Sequence, residues 1–220
     1  MSEITMSTQE VKDQVLWVAQ EMLRSGLVEG TAGNLGARLP DGNAVLTPSS
    51  VDYTTMTLAD LVVCDLDGTV LEGDRSPTTE KELHLSAMRR HPEINATMHC
   101  HAKHATMFAL VRRPIPAVIE EFAVFVGGDV EVADYQPTGS NELAEEVAGR
   151  VGEKACVLMA NHGLFAVGST PKSVLHVAAL VERTAEILRG AEKLGEIIPL
   201  PLETAEQFSS YYRWGRTGKF

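Results

Sequence analysis

The sequence has no apolar run approaching the roughly 20 residues that would span a bilayer, so no membrane partner is expected. Its first residues, Met1 to Gln9, are polar and lack the apolar core of a signal peptide. Cysteine is scarce. Cys64, Cys100 and Cys156 are odd in number and far apart, which argues against a disulfide framework and suits a reducing, cytoplasmic setting. Positive charge is also short, and a net charge of -11 argues against nucleic acid or an anionic membrane surface as partner. Internal repeats, low-complexity segments and linkers are absent. A chain of 220 residues with 44% hydrophobic content is then expected to be one soluble domain with a substantial core.

What is present reads as alternating helices and short strands. Val11, Val15, Val18, Ala19, Met22 and Leu23 recur at helical spacing, and Gly26 can end that helix. Residues 29–38 are small and polar. Ala44 to Thr47 and Leu61 to Leu66 look like strands, with Asp67-Gly68 turning into a third at Thr69 to Leu71. Helices are predicted over Glu80 to Arg90, Ala102 to Val111, Asn141 to Val151 (capped by Ser140) and Lys172 to about Leu194, after Thr170-Pro171. Strands are predicted over Asn95 to His101, Lys154 to Ala160 and Leu164 to Val167. The fold class is a mixed α/β domain, a sheet of short strands covered by helices.

One stretch carries chemistry. On a strand, residues i and i+2 share a face, so His99 and His101 project together, as half of a tetrahedral metal site or as a pair of histidines at a strand end. His162, in the turn between two apolar strands, is the natural third ligand. Glu80 is a candidate fourth ligand or general base; it is equally placed to be a first-turn carboxylate favoured by the helix dipole. His104 reads as an outer partner or plain structure, and His84, His91 and His176 as structural. Three small-residue clusters, Gly33-Asn34, Thr47-Pro48-Ser49-Ser50 and Ser76-Pro77-Thr78-Thr79, could bind an anion through hydroxyls and backbone N–H groups; each is also an ordinary turn.

These segments, with Gly30-Thr31-Ala32-Gly33-Asn34, Pro77-Thr78-Thr79-Glu80, His99-Cys100-His101-Ala102 and Asn161-His162-Gly163 in order, resemble the class II aldolase and adducin family over about residues 10–195. The pattern is nearest to its fuculose-phosphate aldolase branch. The resemblance implies a three-layer fold, a mostly antiparallel central sheet flanked by helices on both sides. It implies one domain over 1–220, with 1–8 and 205–220 as flexible or subunit-contacting tails. It implies a zinc ion, with manganese or cobalt as substitutes, held by His99, His101, His162 and Glu80. Glu80 doubles as acid/base. A phosphate site is implied at Asn34, Ser49, Ser50, Thr78 and Thr79. The implied reaction is cleavage of a small phosphorylated ketose to dihydroxyacetone phosphate and an aldehyde, through a metal-stabilised enediolate, in a homotetramer with active sites at subunit interfaces.

Departures from the pattern bear on the substrate. Gly36 stands where serine is common, Ser50 where glycine is, and Thr78-Thr79 where two serines are usual. Glu120 or Glu121 falls where the branch has a tyrosine thought to protonate the aldehyde fragment, and Tyr211 or Tyr212 could stand in for a tail tyrosine. Rival readings exist. Within the family these are 4-epimerase, decarboxylase, dehydratase or a non-catalytic adducin-like module. Outside it, Asp65-Leu66-Asp67-Gly68-Thr69 imitates the nucleophile motif of haloacid-dehalogenase-type phosphatases, with Asp65 as nucleophile and Asp67 as acid/base. The complete alternative for that stretch is a hairpin turn.

Overall fold

The computed structural model describes residues 6–217. Its eight strands are β1 (Asn34–Arg38), β2 (Ala44–Leu46), β3 (Val62–Cys64), β4 (Val70–Glu72), β5 (Ala96–Cys100), β6 (Val132–Ala133), β7 (Cys156–Met159) and β8 (Gly163–Gly168). They form one sheet in the order β4-β3-β2-β1-β5-β8-β7-β6, antiparallel throughout except for the β6–β7 pair. Seven helices accompany it: α1 (Thr8–Arg24), α2 (Lys81–Arg90), α3 (Lys103–Leu110), α4 (Glu120–Val126), α5 (Asn141–Arg150), α6 (Pro171–Ala191) and α7 (Leu202–Thr217).

The period-2 alternation of β1 and β5 sorts the layers. Leu35, Ala37, Met98 and Cys100 face one side, where they join Val15, Val18 and Met22 of α1 and Val174, Ala178 and Val181 of α6 in the larger core. On the other side, Leu83 and Met88 of α2 and Leu143 and Val147 of α5 pack with Phe165, Val167 and Val157. The sheet is therefore flanked by helices on both faces, as expected. Cys100 belongs to the α1/α6 core and is fully buried, so it packs and does not ligate.

Local signals account for the helix ends. Ser140 accepts the Leu143 N–H, and Thr170 with Ser173 forms a reciprocal capping box ahead of Pro171. Asp67-Gly68 does turn β3 into β4, and the Asp65 carboxylate accepts the backbone N–H groups of Asp67 and Thr69 at 3.0 and 2.8 Å. Bonded to its own turn, Asp65 has the environment of a hairpin residue rather than of a nucleophile.

Four elements were not anticipated: β1, the two-residue β6, α4 and α7. The stretch 205–217, expected as part of a tail, belongs to α7, which packs on α4 with Tyr212 against Gly127. Residues 1–5 and 218–220 of the expected tails lie outside the described residues.

Candidate metal centre and active site

Three strands and one helix converge on the histidines. His99 ends β5, His101 follows it on the same face, and His162 sits in the β7–β8 turn, where its N–H donates to Met159 O. Asn161 makes the turn in the left-handed region (φ 57°), which asparagine tolerates, and Arg112 donates to its side-chain oxygen. The next residue must be small. A Cβ on Gly163 would lie 2.4 Å from Cys100 O and 3.2 Å from the rings of His99 and His101. Gly163→Ala is expected to lower stability by about 1–3 kcal/mol through overpacking and to reduce metal retention. Thermal melting and metal analysis of the purified variant read both, and wild-type values in each would contradict the close-approach argument.

The three rings form a cluster with centroid separations of 4.5 Å (His99–His162), 4.9 Å (His99–His101) and 5.5 Å (His101–His162). One donor nitrogen from each lies within 4.8 Å of the others. His99 is fully buried, and its Nδ1 faces Leu164 O at 3.1 Å. A carbonyl only accepts, so Nδ1 carries the proton and Nε2 is a bare lone pair. That lone pair faces His101 Nε2 at 3.1 Å and a carboxylate oxygen of Glu80 at 3.5 Å. Burial, followed by the neighbouring His162 and His101, holds the His99 imidazole well below its ordinary pKa, and burial lowers that of His101 too. Both rings are thereby kept as neutral donors.

Glu80 lies beside the three histidines. It occupies the N-cap position of α2 but makes no side-chain cap, so it is not the helix-end carboxylate of the simpler reading. Its Oε2 accepts Asn34 Nδ2 at 2.9 Å, whereas Oε1 is buried, has no hydrogen-bond partner and lies 3.5 Å from His162 Nε2. A buried carboxylate oxygen without a hydrogen-bond partner beside three clustered imidazoles is an arrangement that a cation satisfies. Three imidazoles and a carboxylate oxygen suit a four-coordinate divalent ion.

The three anion-binding candidates are brought side by side. Leu35 N donates to Thr47 Oγ1, Thr78 N donates to Thr47 O, and Ser49 N donates to Ser76 O, all near 3.0 Å. Ser49 is half-buried, Ser50 and Thr79 are exposed, and Thr78 is buried with its hydroxyl accepting the Glu80 N–H. Asn34 is buried, with its amide engaged on Glu80 and His84. Of the expected proton-relay group, Glu120 and Glu121 are exposed in the first turn of α4. Tyr211 OH accepts from Gln207, and Tyr212 OH accepts from Arg216, with burial raising its pKa to about 12. Among the described residues, none of these four hydrogen-bonds to the histidines or to Glu80.

The site also uses residues expected to be structural or overlooked. His84 is bonded to Asn34 and Thr97, and its i, i+4 spacing from Glu80 on one helix was a usable signal. Glu182 of α6 accepts from His104 N, Ala105 N and His104 Nδ1, so it caps the start of α3, just past His101. His104 is accordingly structural.

With this geometry, similarity to known proteins is decisive. The chain matches the Class II Aldolase and Adducin N-terminal domain over residues 13–188. The chain belongs to this family. It is 32% identical over 208 residues to the 5-deoxy-D-ribulose 1-phosphate aldolase of Bacillus thuringiensis serovar kurstaki, covering 94% of this chain and 97% of the relative. It is 34% identical over 190 residues to the 5-methylthioribulose-1-phosphate/5-deoxyribulose-1-phosphate aldolase of Rhodospirillum rubrum, covering 86% and 85%. A solved L-fuculose 1-phosphate aldolase superposes with a TM-score of 0.88 at 31% identity, over 96% of this chain and 100% of that one. These class II aldolases are lyases, and lyase is the enzyme class of this chain; its kinship and its histidine cluster make it a metal-dependent one.

Proposed function

We propose that the protein cleaves a small ketose 1-phosphate into dihydroxyacetone phosphate and an aldehyde, with Glu80 as the group that moves the proton. The observation that carries this is Glu80 Oε1: buried, without a hydrogen-bond partner and 3.5 Å from His162 Nε2, beside the three-histidine cluster. A divalent ion held by His99, His101, His162 and Glu80 would polarise the substrate's carbonyl and hydroxyl oxygens and offset the negative charge left by carbon–carbon cleavage.

The chain's own residues do the rest. The hydroxyls of Ser49, Ser50, Thr78 and Thr79, with the N–H groups of Ser50 and Thr79 and the remaining N–H of Asn34, would hold a phosphate without lysine or arginine. The Ser49 and Thr78 N–H groups are spent on Ser76 O and Thr47 O and hold the loops together. Cleavage between C3 and C4 needs a base for the O4 proton and an acid for C3. Glu80, next to the donors that would fix C2 and C3, serves C3. The O4 end falls to Glu120, Glu121, Tyr211 or Tyr212, contributed across a subunit boundary. This reading includes a homotetramer, supported by exposed Leu110 and Val111 (53% and 69%) beside α3. It includes zinc as the ion, supported by the imidazole-rich donor set, and a cytoplasmic location, supported by the three free buried cysteines.

The named relatives act on 5-deoxyribulose, methylthioribulose or fuculose phosphates, so the reading points to a ketose 1-phosphate with a deoxy or methylthio end. A panel of such sugars, assayed in parallel for dihydroxyacetone phosphate, epimerised ketose, water loss and CO₂, tests it. Dihydroxyacetone phosphate with an equimolar aldehyde is expected. An epimer, a dehydrated product or CO₂ as the main product would overturn it.

A further inference from the structure

His84 is buried to 0% exposure on the sheet-facing side of α2, one helical turn after Glu80. It touches none of the three clustered histidines through a hydrogen bond, yet one side of its ring is linked to Glu80 through Asn34. His84 Nε2 is 2.7 Å from Asn34 Oδ1, and His84 Nδ1 is 2.7 Å from Thr97 Oγ1. Asn34 Nδ2 is 2.9 Å from Glu80 Oε2. Asn34 is the register partner of His99, and Thr97 lies two residues before His99 on the same face of β5.

Donor and acceptor bookkeeping gives this chain one direction. A carboxylate only accepts, so the Asn34 NH₂ must face Glu80 and its oxygen must face His84. His84 must then carry its proton on Nε2, which leaves Nδ1 as an acceptor for the Thr97 hydroxyl. The Gly36 carbonyl, 3.2 Å from that hydroxyl, is the longer competitor. The opposite tautomer would turn the Asn34 oxygen toward the carboxylate, acceptor against acceptor. The strand beside the network is closely packed: a Cβ on Gly36 would lie 2.9 Å from Leu46 Cδ2, 3.0 Å from Thr97 Oγ1 and 3.1 Å from His84 Cβ, so a larger residue there would press on both His84 and Thr97.

We propose that His84, held in its Nε2–H form by Thr97, is a positioning residue that orients the Glu80 carboxylate through Asn34. Anchoring Oε2, which also lies 3.5 Å from His99 Nε2, fixes the carboxylate plane and leaves Oε1, without a hydrogen-bond partner, 3.5 Å from His162 Nε2. The role rests on Glu80 being the proton-moving group, as proposed above. A buried network of this kind is fixed as a unit because an unpaired member in a low-dielectric interior is costly. Its loss should therefore be felt first at Glu80, and at the phosphate site only through Asn34.

Two measurements test this. In metal-free and zinc-loaded protein labelled with ¹⁵N-histidine, the ring shifts and couplings of His84 should report a neutral Nε2–H tautomer. An Nδ1–H form or an imidazolium would overturn the proposal, whatever the variants do. In kinetics, His84→Phe should lower kcat by about 10–100-fold, the range for partners that orient a site group, with metal content close to wild type and a smaller change in KM, transmitted through Asn34. His84→Gln, whose amide nitrogen can reach toward Asn34, should recover most of that loss. Equal losses in the two variants, or a normal kcat in His84→Phe, would overturn it. Glu80→Gln separates the two ideas: if it retains turnover the assignment of Glu80 fails, whereas if it loses turnover and His84→Phe does not, only the positioning role fails.

Discussion

His99→Ala is expected to abolish metal retention and turnover together while leaving the fold in place. His99 is the central ring of the cluster, in contact with both other imidazoles and 3.5 Å from Glu80. Its Nδ1 proton is committed to Leu164 O, so no rotation of the ring is needed to present Nε2. Removing it takes away the buried central donor and leaves two imidazoles and a carboxylate that the remaining backbone does not hold together around one point. The loss should exceed the roughly 10–100-fold of an outer-sphere change. The structural cost is modest. β5 keeps its five-residue pairing with β8 and its four-residue pairing with β1, and what is lost is the bond to Leu164 O, worth about 1 kcal/mol. Inductively coupled plasma analysis and far-UV circular dichroism of the same sample read the two halves. A variant that is folded, metal-replete and active would contradict the assignment of the centre.

Glu80→Gln has the second largest expected effect, and it separates chemistry from binding. The amide is isosteric, and its oxygen can still accept Asn34 Nδ2, so the side chain should keep its place. The NH₂ then replaces Oε1 opposite His162, where it can neither take up nor deliver the proton. Three imidazoles remain, so the ion is retained, more weakly for want of the carboxylate charge. Turnover should fall by about 10²–10⁴-fold, the usual worth of a positioned acid–base group, at nearly unchanged metal content. Near-normal turnover in the metal-loaded variant would remove Glu80 from the proton step.

The histidine centre was legible in the sequence because two strong local rules met there. The i, i+2 geometry of a strand put His99 and His101 on one face, and a turn between apolar strands put His162 at the same sheet edge. Helix α6 was legible because Thr170, Pro171 and Ser173 are a start signal that needs no tertiary context. β1 was hidden for the opposite reason. Its inward residues Asn34 and Gly36 are selected by the Glu80–His84 network, so the strand reads as a polar loop until its neighbours are known. His84 was passed over because a buried histidine is recognised by its partners, and those come from β1 and β5, far away in sequence. Helices α4 and α7 are stabilised by each other, through Tyr212 seated against Gly127, and neither carries a start signal comparable to that of α6.

At Glu80 two readings competed in the sequence, a ligand or general base and a first-turn helix carboxylate. A carboxylate at the start of a helix is ordinarily explained by the dipole alone. Here the cap is unmade, and the carboxylate turns to Asn34 and the imidazoles instead. Only long-range contacts across the β1–β5 pair distinguish the two, and these are 46 residues away in the chain for Asn34.

The dependence of cleavage on the ion at this centre is read most directly by one titration. The purified protein is stripped with a chelator, dialysed, and assayed for dihydroxyacetone phosphate release from its ketose 1-phosphate as zinc is added back. The expected result is no release from the stripped protein and a rise that saturates at one ion per chain, absent in His99→Ala. Full turnover in stripped protein with no residual divalent metal would contradict a metal-dependent aldolase centred on His99, His101 and His162.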